Sequence, residues 1–588
     1  KNPASATVNI DSSKGHAIPE GLSGANVRNV DQAWNYTSPE FKEGAATINP
    51  GFLRYFSGTV SKTLNMRTGL YEMEWVEMYR SGKEYGGQLA SAKKTYVKGP
   101  QRLSDYYKKL LGPLGIKLVI TINGFTDSPE SAGAIAKFCK DNHIEVEMYQ
   151  LCNEPYFFDL STNKNKFHFN NGLDYAKKMK PFADAIRAED PDAKLTLSYS
   201  WDTGGRFRKE IAKYPNPYWD IVSIHSYAPY GPNDTDINVG MKKANAALTY
   251  STSAEAMKNH FKVSWPDAPV MLTEFNVWNG ALSNRMYSGI YLTEYIMRMS
   301  ANPNILYVGM HSLSTKTFVP VNSYSDEMLH AYDTGTPLDV DSLTLGIEYL
   351  PGGLALKVLN DAVNHSTYTW DSTVEGGVEV DSYVRPVGGS MNKNKVVKMP
   401  ALYAKAYKGD NGKNYLLVTN KSEIPHNVAV QVDNSNLTAA MTKTYIGHSD
   451  PAAKTGLAIM SEATDNPVHI PPYSVVRLEW DADTVPAPPA PRIYDFKIGN
   501  GEASLSWWKR ETADSYTIKY GTAPDRLSNT SEAGGSVHSK MITGLEAGST
   551  YYFAVTASNS AGESELSNIV SGKIAVPEAP EIVSVHPQ

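Results

Sequence analysis

From Gly24 to His311 the chain alternates short apolar runs with stretches of helical spacing. Gly24-Ala25-Asn26-Val27-Arg28 and Gly51–Phe56 read as strands, and the aromatic, charged, period-free stretch from Tyr71 to Val97 reads as a long loop over a site. Leu103, Tyr106, Tyr107, Leu110 and Leu111 predict a helix over Arg102–Leu114, and Lys117–Asn123 (KLVITIN) then predicts a buried strand. Helices follow over Ser131–Asp141, Asp174–Glu189, Ser253–Lys262 and Arg285–Met299, interleaved with strands over Val146–Leu151, Leu195–Ser200, Trp219–Tyr227, Val270–Phe275 and Ile305–His311. Gly353–Asn360 is the last helix of the series. Such alternation implies parallel strands with right-handed crossovers. Counted from Val27 the strands number eight, which predicts an α/β fold, a (β/α)8 TIM barrel, with a doubly wound open sheet as second choice.

The pattern then changes. Ala401–Tyr407, Asn414–Thr419, Asn427–Val432 and Ser474–Trp480 are short alternating stretches separated by turn residues, as in a β-sandwich. Residues 4–10 (ASATVNI) alternate in the same way, and a lone strand must pair elsewhere, so residues 1–20 are assigned to that sandwich. The barrel is placed at 21–365, the sandwich at 366–483 and a stiff Pro-rich linker at 484–491 (TVPAPPAP). Leu505-Ser506-Trp507, Tyr516–Tyr520, Gly544-Leu545 and Tyr551–Val555 then form a run of strands about the size of one sandwich module. With Trp507 as core tryptophan and Tyr551, after Leu545, as tyrosine corner, residues 492–574 closely resemble a fibronectin type III module. Residues 575–588 look like a linker and the start of another, which predicts a longer native chain.

Composition narrows the function classes. At 588 residues the chain exceeds one core, and a formal charge of −6 offers no broad basic face for nucleic acid. No apolar run reaches membrane-spanning length, and Lys1 opens no charged-then-apolar leader, so the expectation is a trimmed, secreted or cell-surface monomer. The 36 Tyr and 10 Trp suit sugar rings, whose apolar faces are ringed by hydroxyls, although tyrosine is also an ordinary strand former. Cys139 and Cys152 can pair or remain two buried thiols, the reading preferred here. Asp333, Asp339 and Asp341 lack EF-hand spacing, and no HExxH, paired CxxC, Walker or dinucleotide motif occurs, so neither metal nor cofactor is expected.

In a parallel barrel the C-terminal strand ends converge on one mouth. Those ends supply Arg54, Asn123, Asn153, Glu154, Trp201, His225, Tyr227, Glu274, Trp278 and His311. The two glutamates end strands four and seven, nearly across the ring, where they can face each other. Retaining glycoside hydrolysis needs two carboxyl groups about 5–5.5 Å apart, one a nucleophile and one an acid and then a base. Arg54 and Tyr227 are strand-end donors that can keep Glu274 ionised, whereas Glu154 has no cationic partner in its own segment, so its pKa can rise toward that of a proton donor. Each residue has a plainer alternative: Arg54 as a salt-bridge group, His225 and Tyr227 as satisfied core groups, Trp201 and Trp278 as loop anchors.

LCNEP at the end of strand four and LTEF at the end of strand seven, with an Arg-bearing strand two, resemble clan A glycoside hydrolases. Within the clan, GFLRYFSGT and QLCNEPYFF are most similar to the heparanase-like and glucuronidase-like families, and related arabinofuranosidases and xylosidases join such a barrel to a sandwich built from both chain ends. The resemblance implies Glu154 as acid/base, Glu274 as nucleophile, and Asn153, Arg54 and Tyr227 as their supports. Cys152 stands where those families carry Gly, YFSGT keeps one glycine, and His311 stands where many clan members have Trp. The expected function is retaining, endo-acting hydrolysis of a polysaccharide, with a uronic-acid glycan favoured and Arg28, Arg54 and His311 as its candidate donors. The rivals are a hydrolase of a neutral galactan, xylan or agar-type glycan, a non-catalytic carbohydrate-binding protein on the same barrel, and an adhesion protein led by its fibronectin modules.

Overall fold

The computed structural model describes residues 1–27, 39–55, 58, 61–62, 65–67, 103–157, 168–200, 205–252, 269–313, 348–385 and 390–576. All eight apolar runs form strands: β2 Ser23–Asn26, β3 Phe52–Tyr55, β4 Lys117–Ile122, β5 Met148–Leu151, β6 Leu195–Ser198, β7 Ile221–Ser226, β8 Val270–Phe275 and β9 Ile305–Met310. Each pairs in parallel with the next and β9 pairs with β2, closing the barrel and excluding the open sheet. Between them run α1 Pro39–Ile48, α2 over 103–114, α3 Pro129–Asp141, α4 Gly172–Glu189, α5 Gly205–Ile211, α6 Ile237–Tyr250 and α7 Met286–Ser300, and α8 Pro351–Val363 follows β9. Parallel strands covered by helices on one side and barrel core on the other are buried on both faces, hence their near-continuous apolar sequence.

Local chemistry sets the helix starts. The Ser128 hydroxyl accepts from Ser131 N ahead of Pro129, and Asn171 Oδ1 accepts from Asp174 N at 2.9 Å. On α4, Tyr175, Ala176, Met179, Phe182, Ala183 and Ile186 form the buried stripe at helical spacing. The chain after β7 departs from expectation. Its described helix is α6, in a segment to which the sequence reading gave no element, whereas the helix expected over Ser253–Lys262 lies outside the described residues. Gly240 and the polar Lys242, Lys243 and Asn245 blur the apolar period of α6, but Asp236 caps it and Ala244, Ala246, Ala247 and Leu248 bury one side. The loop expected over Tyr71–Val97 and the three aspartates also lie outside the described residues.

Between α8 and Asp481 nine strands join β1 (Ala4–Ala17) in one ten-stranded sheet, while Glu379–Val384 and Asn392–Pro400 pair separately as a two-stranded ribbon. Near one end of the sheet, β1 runs antiparallel to β10 (Ser366–Gly376) and parallel to His426–Val432. Alternate residues Ala6, Val8 and Ile10 enter an apolar core with Leu416, Val428, Val430, Val476 and Trp480. The sheet curls until its flanks meet, Lys443 Nζ donating to the His469 carbonyl at 3.2 Å from the far side. The barrel and this sheet make one compact unit, and a second is built mainly on residues from Thr484 onward. That second unit has its own core around Trp507, Tyr516, Ile518, Phe553 and Val555. Both cysteines are buried, unpaired thiols. Among the described residues no helix is long and apolar enough to cross a membrane.

Candidate active site

The barrel interior is layered by strand parity. At the N-terminal end, Lys117 Nζ meets the Tyr307 hydroxyl at 2.8 Å, and that hydroxyl donates to Glu147 at 2.6 Å. Phe52, Val119, Met148, Ile221 and Met271 form an apolar layer above. The next layer is polar and fully buried. There Gln150 Nε2 reaches the hydroxyls of Ser198, Ser223 and Thr273, each at 3.1 Å, while Gln150 Oε1 accepts from Arg54 Nε at 2.6 Å. Arg54 is thereby oriented. One terminal nitrogen donates to Glu274 at 2.6 Å and Asn26 at 2.8 Å, the other to Asn153 Oδ1 at 2.7 Å.

Glu274 faces inward because β8 carries an extra residue. Against β7 the register steps from Ile224 opposite Leu272 to His225 opposite Glu274, and the pairing with β9 is irregular at the same place. The bulge turns the consecutive Thr273 and Glu274 both toward the axis, one onto Gln150 and one onto Arg54. Tyr227 donates to the second Glu274 oxygen at 2.5 Å, and His225 Nδ1 and His311 Nδ1 stand 3.4 and 3.8 Å from it. Burial alone would raise the Glu274 carboxyl. His225, His311 and Arg54, with the Tyr227 hydroxyl, outweigh it and hold the group well below the usual carboxylate range.

Glu154 sits just past the end of β5 on a tight left-handed turn, with φ of 72° at Cys152 and 44° at Glu154. The turn is tied down on the barrel side. Tyr175 donates to the Leu151 carbonyl, and the Ser198 hydroxyl donates to the Cys152 carbonyl at 2.8 Å. The positive φ at 152 is the physical reason glycine suits that position. Here the Cys152 thiol is housed by Gly124, where a Cβ would come within 2.4 Å of the sulfur. From this turn Glu154 Oε1 reaches His225 Nδ1 at 2.8 Å, so its basic partner comes from another strand, which a reading of its own segment could not include. One oxygen of Glu154, one of Glu274 and a His225 ring nitrogen all lie within 4.8 Å of one another.

The other predicted residues divide by what holds them. Asn153 gives its oxygen to Arg54, and its Nδ2 is buried with no partner among the described residues. Asn123 closes its own turn, accepting from Phe125 N and Thr126 N and donating to Thr126 Oγ1 at 2.8 Å, so its amide serves the scaffold. Trp278 meets the Tyr227 ring edge to face at 5.7 Å. Trp201 and Arg28 lie outside the described residues. Sequence reasoning missed Asn26, Gln150, Lys62 and Tyr156. The polar Gln150 inside an otherwise apolar strand, in step with Met148, was the available signal. Lys62 donates to the Glu154 carbonyl at 3.3 Å from a segment with no clear period. Burial raises the Tyr156 hydroxyl, and the charges of Glu154 and Glu274 raise it further, so it stays protonated beside both.

Two carboxylates and an imidazole could also hold a metal ion. A cation on Glu274 would compete with the Arg54 guanidinium at 2.6 Å, so the donor set fits proton transfer better.

The family model for the fibronectin type III domain matches residues 489–573. Among curated proteins, the Kelch domain-containing protein SSO1033 of Saccharolobus solfataricus is 37% identical over 99 residues, 17% of this chain, and the match spans 13% of that protein's length. Among solved structures, an α-L-arabinofuranosidase from Thermotoga maritima in complex with arabinose superposes with a TM-score of 0.60 at 16% identity, covering 81% of this chain and 100% of that one. A family 51 arabinofuranosidase from Xanthomonas axonopodis pv. citri gives 0.58 at 13% identity over the same shares, 81% and 100%. A single-residue variant of the protein BuGH86, with neoagarooctaose bound, gives 0.50 at 11% identity over 88% of this chain and 86% of that one. The chain thus joins a closed parallel barrel with the fold of clan A glycoside hydrolases to a β-rich C-terminal region that includes a fibronectin type III domain.

Proposed function

We infer that the protein is a retaining glycoside hydrolase acting on a polysaccharide. The observation that carries this reading is the pair Glu154 and Glu274, with oxygens within 4.8 Å and in unlike surroundings. Glu274 is held as an anion by Arg54 and Tyr227, which suits a nucleophile that attacks the anomeric carbon and forms a glycosyl-enzyme ester. Glu154 donates its proton to the departing glycosidic oxygen. In the second step it takes a proton from water, which attacks the same carbon and releases Glu274, so configuration is retained. The unengaged Asn153 Nδ2 is the donor for the sugar 2-hydroxyl, and His225 Nδ1 orients Glu154 from β7.

Arg54 is engaged through all three guanidinium nitrogens within the protein, so of the described residues proposed to meet a uronate carboxylate, His311 remains. Chain-internal cleavage and a uronic-acid glycan are both open to one experiment. Purified protein is incubated with arabinan, xylan, agarose oligosaccharides and heparan sulfate, and the products are sized. A ladder identifies endo action, and a single small sugar identifies exo action.

Glu274→Gln should lower turnover of every substrate by at least ~10³-fold, and Glu154→Gln should lower polymer turnover by roughly 10²–10⁴-fold while sparing kcat/KM, though not kcat, for aryl glycosides whose leaving group needs no proton. Full activity on a cleaved polymer in either variant would defeat the assignment.

A further inference from the structure

The loops after β7 and β8 meet beyond the carboxylates in a two-residue parallel ribbon, Trp278 opposite Tyr230 and Asn279 opposite Gly231. Register partners in a parallel pair point to the same face, so the two aromatic side chains stand side by side. Both are open to solvent, Tyr230 at 69% and Trp278 at 45%. The frame beneath them is fixed. Trp278 N donates to the Pro229 carbonyl at 3.2 Å and Gly280 N to the Gly231 carbonyl at 3.0 Å. Asn279 Nδ2 reaches Asp234 at 2.7 Å, and the buried Lys243 pairs with the same carboxylate. A Cβ at Gly231 would fall 2.1 Å from Asp234 Oδ2, and one at Gly280 2.5 Å from the Pro232 carbonyl, so glycine is what lets this ribbon close. Trp278 leans on Tyr227, whose hydroxyl holds Glu274, placing the ribbon one ring outward from the nucleophile.

We propose that Tyr230, together with Trp278, forms an aromatic platform that binds a further sugar unit of a glycan chain extending from the site. The proposal rests on the glycosidase reading above. The occupant follows from chemistry and continuity. Two rigid rings with polar tips match the apolar face and hydroxyl rim of a pyranose or furanose, they lose little freedom on binding, and the Tyr227 ring links Trp278 to the Glu274 carboxylate. Two side chains are too small an area for a stable protein partner.

The test uses the full chain carrying Tyr230→Ala or Tyr230→Phe. With a cleaved polymer and an aryl monoglycoside of the same sugar, Tyr230→Ala should lower the polymer-to-monoglycoside ratio of kcat/KM by about five- to tenfold, and Tyr230→Phe should restore most of it. In gels containing the same polysaccharides, retardation of Glu274→Gln protein should weaken when Tyr230→Ala is added. An unchanged ratio with polymer cleavage intact overturns the platform and leaves the glycosidase reading standing. If the wild-type protein cleaves nothing, the gel decides alone. Retardation that depends on Tyr230 supports the platform while the glycosidase reading fails, and equal or absent retardation overturns it.

Discussion

Arg54 and Tyr227 grip opposite oxygens of one buried carboxylate, and the consequence is a sign that can be measured. Removing either donor removes a contribution that favours the anion, so the Glu274 pKa rises. In the proposed mechanism activity needs that anion and falls as pH drops through its pKa, so a raised pKa moves the acid limb of the kcat/KM profile to higher pH. Tyr227→Phe keeps the ring and loses one hydrogen bond to a charged group, worth about 1.5 kcal/mol or more, so the limb should move up by roughly 1 pH unit. An acid limb that stays in place would show that Glu274 does not set it. The same linkage governs stability. Because its folded pKa is depressed, Glu274 stabilises the fold above its unfolded value, and this contribution is lost as pH falls through the folded value.

At the scale of elements, the turn after β5 depends on a fit between two strand ends. Gly124 follows β4 and Cys152 follows β5, and a methyl at 124 would meet both the Cys152 sulfur and the end of Met179. Gly124→Ala should therefore destabilise by about 1–3 kcal/mol, with Met179 able to give way and Cys152 not. Cys152→Gly in that background removes the clash and frees a residue at φ 72°, so the double variant should be more stable than Gly124→Ala alone. Equal melting of the two in calorimetry would show that the thiol is not the obstacle. How much was legible also sorts by element. Runs such as KLVITI and VMLTEF announced themselves because strands buried on both faces admit little but apolar residues. The bulge that turns Glu274 inward has no glycine or turn residue to mark it and exists only as a mismatch between neighbouring registers. The contact of His225 with Glu154 was hidden for the same reason, since it joins two strands that say nothing of each other in sequence. Gln150 was visible as a polar residue in a buried run, yet its meaning lay in the three hydroxyls that other strands bring to it.

At the scale of the molecule, barrel and sheet are held together by charge as well as by apolar packing. Glu294 on α7 is fully buried and is shared by Lys421 at 2.7 Å and Arg298 at 2.8 Å, with the Thr419 hydroxyl at 2.7 Å. Burial opposes both charges. At Glu294 the two cations outweigh it and lower the carboxyl, whereas at Lys421 burial wins and lowers the amine, because one carboxylate answers two cations. Lys421→Met should cost about 3 kcal/mol, the low end for breaking a buried pair, since Arg298 remains. Thermal unfolding followed by calorimetry reads this directly, and adding Glu294→Gln should recover part of the loss. A Lys421→Met protein that melts like wild type would assign the junction to packing alone.

The placement of β1 also sets the order of assembly. Ala4–Ala17 is synthesised before the barrel, yet its partners, Ser366–Gly376 on one edge and His426–Val432 on the other, are synthesised after it. At about 5–20 residues per second β1 waits tens of seconds with both edges unpaired, while every strand of the barrel is synthesised. The barrel can close during that wait, because its own strands arrive in sequence, and its closure carries the two distant halves of the sheet toward each other. Folding of the sheet is then a late event gated by the barrel. A chaperone that shields the alternating strand ahead of the barrel would act on this chain well before its most exposed intermediate is resolved.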